Sequence, residues 1–301
     1  MPGNETKYVD YIKRNFPQLR IGNIKFNVTD GMHCDIVIIN EELLFKFSKY
    51  DWTVAFLSNQ VKATGLIRNY VDMALPHMEY LEDGIAKCEF IPGDPLYRNE
   101  ILLLNESDQN HLAKQIGVFL RQLHAIPLKP VTKSHLPEVP LDLSRDAVLA
   151  QFEDIKRKVY PYCDSYTQTY IERIFEPVLE NENFLVHTPC LIHADLTPRR
   201  FIHDKRTKKI NGVIGFGCSG IGDPAYDFGM LLEGFGETFV RRIGKYYGNL
   251  SDLIDRARFY ACLRQIGQAK KSVDMIATRD FSNFRFQVTA NDCMPVGCKW
   301  Q

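Results

Sequence analysis

The residues best able to do chemistry lie close together late in the chain. His193-Ala194-Asp195 supplies an imidazole whose ordinary pKa lies near neutrality and a carboxylate that can give or take a proton. Arg199 and Arg200 follow at once, with fixed positive charge suited to a carboxylate, enolate or oxyanion. Further on stand Gly215-Phe216-Gly217, Cys218, and then Asp223 and Asp227. Cys218 has no base beside it in the sequence, so it reads as a bland thiol. The eight cysteines are scattered, without a C-x-x-C or zinc spacing, and read as reduced thiols. Cys34, Cys88 and Cys190 sit in apolar stretches and are expected to be buried; Cys293 and Cys298 are expected to be more exposed.

Three blocks carry a resemblance: Leu191-Ile192-His193-Ala194-Asp195-Leu196-Thr197-Pro198, then Gly212-Val213-Ile214-Gly215-Phe216-Gly217, then Ile221-Gly222-Asp223-Pro224-Ala225-Tyr226-Asp227-Phe228. In order and at family-like spacing, they resemble the catalytic loop, metal loop and following helix start of the aminoglycoside phosphotransferases, and through them the kinase-like small-molecule phosphotransferases. Leu44 to Lys49, Glu89 to Leu96 and Phe119 to His124 match less strongly, so the resemblance spans residues 20–270 or so. It implies an α+β, two-lobed protein-kinase-like fold: a small antiparallel β lobe over 1–92 and a larger, mainly helical lobe over 93–301 that holds the catalytic-loop-like segment 190–228.

The resemblance also implies roles. Lys46 falls where a strand lysine would hold nucleotide phosphates, and Gln60, by ungapped counting, where a helix carboxylate would orient that lysine. Asp195 matches the carboxylate that handles the acceptor hydroxyl's proton. Glu89, Phe90, His193, Gly215 and Phe216 complete a nucleotide-like cleft, while Asp223 and Asp227 fall in the helix-start motif and are expected to act as caps and loop staples. Arg200 and Gly215 stand where two magnesium ligands would be. Magnesium takes hard oxygen ligands; glycine has no side chain and arginine repels a cation. The stretch Val28 to His33, where a phosphate-covering loop would lie, has one glycine and the acidic Asp30. These departures lead to the expectation of a kinase fold that has lost standard magnesium-ATP phosphoryl transfer. The site would then be a repurposed metabolite-processing one, with Asp195 as acid or base and Arg200 as anion stabiliser, no resident metal and no cofactor. Two alternatives stay open: a non-catalytic pseudokinase that binds a ligand or partner, and a divergent ATP-dependent phosphotransferase in which another carboxylate, such as Asp223, recruits magnesium.

Elements must position these residues. Alternating apolar residues over 24–28, 35–39 and 43–47 predict an antiparallel meander, followed by a helix near 52–69 and a strand at 85–91 that is stopped by Pro92-Gly93-Asp94-Pro95. Leu112, Ile116, Phe119, Leu120 and Leu123 predict a helix over 108–124 with Ser107 or Asp108 as its cap. The proline-bearing stretch 127–140 reads as a surface connection, 143–160 and 165–180 as helices, and two short strand-like runs lie near 201–203 and 212–214. Helices are expected again from Pro224 to about Met275, and the pairs Tyr246-Tyr247 and Phe259-Tyr260 are expected to pack in the core, with a substrate lining as the sharper alternative.

The 301 residues balance 37 Lys+Arg against 37 Asp+Glu, which leaves no electrostatic footprint for nucleic acid. No apolar run reaches membrane-spanning length and the start lacks a signal-peptide core, so a cytoplasmic protein with a small-molecule partner and no membrane contact is expected. Around Arg241, Arg242, Lys245, Arg256, Arg258, Arg264, Lys270 and Lys271 the acids are fewer, which argues against a polycationic antibiotic as substrate.

Overall fold

The computed structural model describes residues 4–27, 33–82, 84–137 and 142–278. The chain opens with helix α1 (Asn4–Asn15), strands β1 (Ile24–Asn27), β2 (Cys34–Ile39) and β3 (Leu43–Ser48), helix α2 (Asp51–Ile67), and strands β4 (Met78–Glu82), β5 (Ile85–Glu89) and β6 (Asp94–Pro95). Helices α3 (Arg98–Leu103), α4 (Glu106–His124), α5 (Leu128–Lys133), α6 (Arg145–Lys158) and α7 (Ser165–Glu180) follow. Short strands β7 (Cys190–Ile192), β8 (Phe201–Asp204), β9 (Lys209–Val213) and β10 (Gly220–Gly222) precede α8 (Pro224–Phe235), α9 (Glu237–Tyr247) and α10 (Ile254–Thr278). Two compact units result. One comprises the chain up to Leu96 together with Ile126–Leu136 and Arg199–Ser219; the other comprises Tyr97–Ala125, Pro137–Pro198 and the chain from Gly220 on.

In the first unit the predicted meander is the edge of a larger sheet, in the order β1-β2-β3-β5-β4, antiparallel throughout. Strand alternation sorts its side chains to two faces. Phe45 and Phe47 join Val37 and Ile39 against Ile12, with Tyr8 and Tyr11 of α1 packed on the cluster. Cys34 and Ala86 point the other way and meet Leu57, with Val61, of α2. Lys46, between Phe45 and Phe47 in sequence, is thereby turned to the α2 face. Helix α1 and strand β4 were not anticipated, although Tyr8, Tyr11 and Ile12 have helical spacing. A second sheet, β6-β8-β9, belongs to this unit. The expected surface connection 127–140 is corrected in part: it contains α5, and Val131 and Leu136 are buried. Residues 28–32 of the expected phosphate-covering loop and the chain beyond Thr278, with Cys293 and Cys298, lie outside the described residues.

The second unit is mainly helical, with the β7-β10 pair as its short sheet. Helix α4 starts two residues earlier than expected, since Asn105 is its cap and accepts the Asp108 N–H at 2.9 Å. Helix α8 is buried nearly end to end and packs on α10, where Gly229 allows the approach: a Cβ there would lie 2.9 Å from the Ala257 carbonyl oxygen. Phe259 and Tyr260 are fully buried, in keeping with core packing. Among the described residues no helix is long and apolar enough to cross a membrane.

Candidate functional site

In the first unit, the facing of β3 toward α2 places Lys46 and Gln60 together: the Lys46 ammonium donates to Gln60 Oε1 at 3.1 Å. Gln60 is buried on α2, so the lysine has a neutral hydrogen-bond partner and no countercharge from it. Its charge is felt nearby. Burial pushes the Cys34 and Cys88 thiols up, and Lys46 pulls both partly back. Glu89 is exposed at the end of β5, where its carboxylate accepts the His77 N–H, and Phe90 is half-buried, its N–H donating to the Glu42 carbonyl.

The same unit contains the segment that the resemblance likens to a metal loop. Gly215 has φ +92°, in the region that glycine occupies without strain, and it opens a short 3-10 turn in which Phe216 is fully buried. The loop is stapled to α2. The Asn59 amide donates to the carbonyl oxygens of Gly217 and Ser219, at 2.8 and 3.1 Å, and the Phe56 ring lies against Gly217 where a Cβ would be. Against Gly215 lies Arg200: its Cδ, Nε and Cζ are 2.8–2.9 Å from where a Cβ on Gly215 would sit. The two positions at which the resemblance implies magnesium ligands are therefore one packed pair, a guanidinium over a bare backbone. They do not fit a divalent cation, because neither offers a side-chain oxygen and one brings positive charge. Among the described residues no group of three or more His, Cys, Asp or Glu gathers as a metal site.

In the second unit Asp227 braces the catalytic-loop-like segment. Its buried carboxylate accepts the backbone N–H groups of His193 and Ala194, each at 2.8 Å, and lies 3.2 Å from His124 Nε2. Tyr247 completes the chain through a 2.9 Å contact with His124 Nδ1. Ala194 has φ +60°, a strained value for a residue with a Cβ, and the two bonds to Asp227 hold it there. His193 is buried, and its Nδ1 accepts the Asp195 N–H at 3.2 Å, so its ring props the backbone of Asp195, while the Asp195 side chain is only partly buried. Asp223 caps α8 through the Ala225 N–H and is clamped by Arg256 Nε at 2.7 Å and Tyr260 Oη at 3.0 Å. Burial, with Asp223 adding to it, drives the Tyr260 hydroxyl far above its usual value.

The cation excess seen in the sequence is largely paired. Arg256 holds Asp223, Arg258 holds Glu237 and Asp255, Arg241 holds Glu237, Lys270 holds Asp154, and Arg264 holds Glu233. For Arg264 burial works against the charge, but Glu233, then Tyr226 and Asp195, outweigh it and raise the pKa. Sequence spacing carried no signal for Asn59 or Arg264, each of which acts across more than thirty residues of chain.

Residues 42–260 match the model of the phosphotransferase enzyme family. The chain belongs to that family. Among solved structures, the chain is similar to the GDP complex of wild-type aminoglycoside 2'-phosphotransferase-IIIa, with a TM-score of 0.81 at 23% identity over 93% of this chain and 94% of that one. The streptomycin-ATP-APH(2")-IIa ternary complex gives 0.71 at 22% identity, covering 98% and 100%. Macrolide 2'-phosphotransferase MphH from Brachybacterium faecium gives 0.69 at 13% identity, covering 98% and 99%. At these identities the likeness is one of fold: the two-lobed, kinase-like arrangement of an antiparallel sheet lobe and a helical lobe.

Proposed function

We propose that this member of the phosphotransferase family has left standard magnesium-ATP phosphoryl transfer and processes a small molecule, with Asp195 as acid or base and Arg200 as the anion-stabilising group. The observation that carries the reading is the packing of Arg200 on Gly215, which puts a permanent cation where the family pattern implies a metal. A guanidinium offers directed donors to an oxyanion, and in a partly buried setting its charge acts more strongly than in water. The bracing of Asp195 supports a defined carboxylate position: its N–H is held by His193, and the two preceding N–H groups are held by Asp227.

A second reading, an ATP- or GTP-dependent phosphotransferase, is favoured by the retained Lys46 and by similar structures solved with GDP, ADP or ATP bound. Calorimetric titration of ATP and GTP, each with and without magnesium, separates the two. The primary reading expects no magnesium-enhanced binding and loss of turnover in Asp195→Asn when candidate metabolites are screened. Micromolar binding that requires magnesium and fails in Lys46→Ala would replace it with the second.

A further inference from the structure

The second unit contains a cavity of about 320 Å³, bounded by the start of α6, the chain between α7 and β7, and the end of β10. Leu143, Leu185, Pro189 and Ile221 give it an apolar floor, and the exposed Val186 lines it too. Small-molecule sites run from roughly 300 to 1,000 Å³ and join an apolar surface to a few polar groups, so this cavity suits a ligand at the small end of that range. Its floor is also tied to the loop-bearing strand. Ile221 and Gly222 pair with Leu191 and Cys190 of β7, which leads into His193.

Three polar side chains on the wall have capacity that the fold leaves unused. Arg145 spends its Nε on the Val178 carbonyl at 3.2 Å, and its two Nη groups have no partner among the described residues. Glu182, exposed just beyond α7, takes part in no hydrogen bond or ion pair among the described residues. His187 Nδ1 lies 2.8 Å from the Leu185 carbonyl oxygen, which can only accept, so Nδ1 carries a proton and the neutral ring keeps a bare Nε2. The other two carboxylates of the wall are occupied. Asp142 accepts the Ser144 N–H at 3.0 Å, and Asp223 is clamped by Arg256 and Tyr260. The cavity thus offers a cation and an anion that do not bridge each other, an imidazole acceptor and an apolar floor.

We infer that this cavity binds an α-amino acid with an apolar side chain. The guanidinium of Arg145 takes the carboxylate through its unused Nη donors. An ammonium has three donors and no acceptor, which matches the Glu182 carboxylate and His187 Nε2. The side chain covers the floor of Leu143, Leu185 and Ile221 and removes its apolar surface from water. A ligand with a single charge would cover either Arg145 or Glu182 without satisfying it, and that costs free energy. The inference is independent of the reading of Asp195 and requires no reaction at this site. A competing structural account has Arg145 only as a staple from α6 to α7, through Val178. That account predicts a change in stability on substitution and no change in amino-acid affinity.

Calorimetric titration of leucine and phenylalanine into the full chain, without nucleotide or magnesium, tests the inference. Isoamylamine and phenethylamine serve as the analogues without the carboxylate, isocaproate and hydrocinnamate as those without the ammonium. At least one amino acid is expected to bind in the millimolar range or tighter, and both of its analogues tenfold more weakly or worse. Arg145→Gln and Glu182→Gln are each expected to weaken it tenfold or more. Arg173→Gln and Glu176→Gln make the same charge changes at exposed positions of α7 and should leave it within twofold. Glu182 makes no bond in the fold, so its arm stands even if Arg145→Gln folds poorly. The bound amino acid is also expected to slow amide hydrogen exchange at Leu185 to His187 and at Ile221 to Asp223. Absence of binding by both amino acids, an analogue that binds as tightly as its parent, or unchanged affinity in Glu182→Gln each overturns the inference. So does a lower melting temperature in Arg145→Gln at unchanged affinity, or binding that leaves exchange in both segments as it was. Magnesium-dependent ATP binding would overturn the proposed function separately and leave this result standing.

Discussion

Arg200 and Gly215 act as a pair, and a substitution at either should be felt through the other. An aspartate at 215 must adopt φ +92°, a region unfavourable to any residue with a Cβ, and must displace Arg200 from 2.8–2.9 Å. Gly215→Asp alone is expected to destabilise by about 2–4 kcal/mol in urea denaturation, through strain plus overpacking. Joined to Arg200→Asn, the cost should fall by about 1–2 kcal/mol, the coupling typical of side chains in contact. Simple additivity would show that the arginine does not fill that space. The identities at 46, 60, 195, 200 and 215 were legible from three short blocks and a count from Lys46. What the sequence withheld is the contact itself: nothing in the spacing of Arg200 and Gly215 tells that one lies over the other.

At the scale of elements, the loop after Gly215 takes its shape from α2. Asn59 satisfies two loop carbonyls, so Asn59→Ala is expected to cost about 1–3 kcal/mol by leaving acceptors unpaired, and to speed amide hydrogen exchange from Phe216 to Ser219. Unchanged exchange there would show that the staple is dispensable. Helix α2 itself was predicted nearly to its ends, and in the structure it buries Leu57, Ala63, Thr64 and Ile67, while the meander was legible from alternation in β2 and β3. Strand β4 was missed, since Met78–Glu82 sits at the sheet edge with a partly buried, charge-bearing pattern that gives little apolar alternation. Helix α5 was missed because its two turns carry a proline and one fully buried side chain, Val131. The staple role of Asp227 agrees with its helix-start context, but its three partners come from segments up to about a hundred residues away, which only the fold brings near.

For the whole molecule, the balanced charge of the chain conceals dense local pairing, and acid should undo it. Burial acts to raise the Glu237 carboxyl, yet hydrogen bonds from Arg258 and then Arg241 outweigh it and hold the pKa below the ordinary 4.5. Asp154 is held at about 2, first by Lys270 of α10. In both the folded pKa lies below the unfolded one, so the stabilisation is present in full above the unfolded value and is lost as the pH falls through the folded value. The urea midpoint is expected to decline below about pH 4.5, and more shallowly in Arg258→Gln; equal slopes would show that the Glu237 pair contributes nothing. The guanidinium over Gly215 belongs to a different class of charge. An ion held between ligands exchanges with the medium, follows its supply and can be stripped by a chelator. Arg200 is made with the chain, one per molecule, and keeps its charge across the pH range in which the protein is folded. On the proposed reading, an anion held there is uncoupled from the abundance of any metal and, through screening, tied instead to ionic strength.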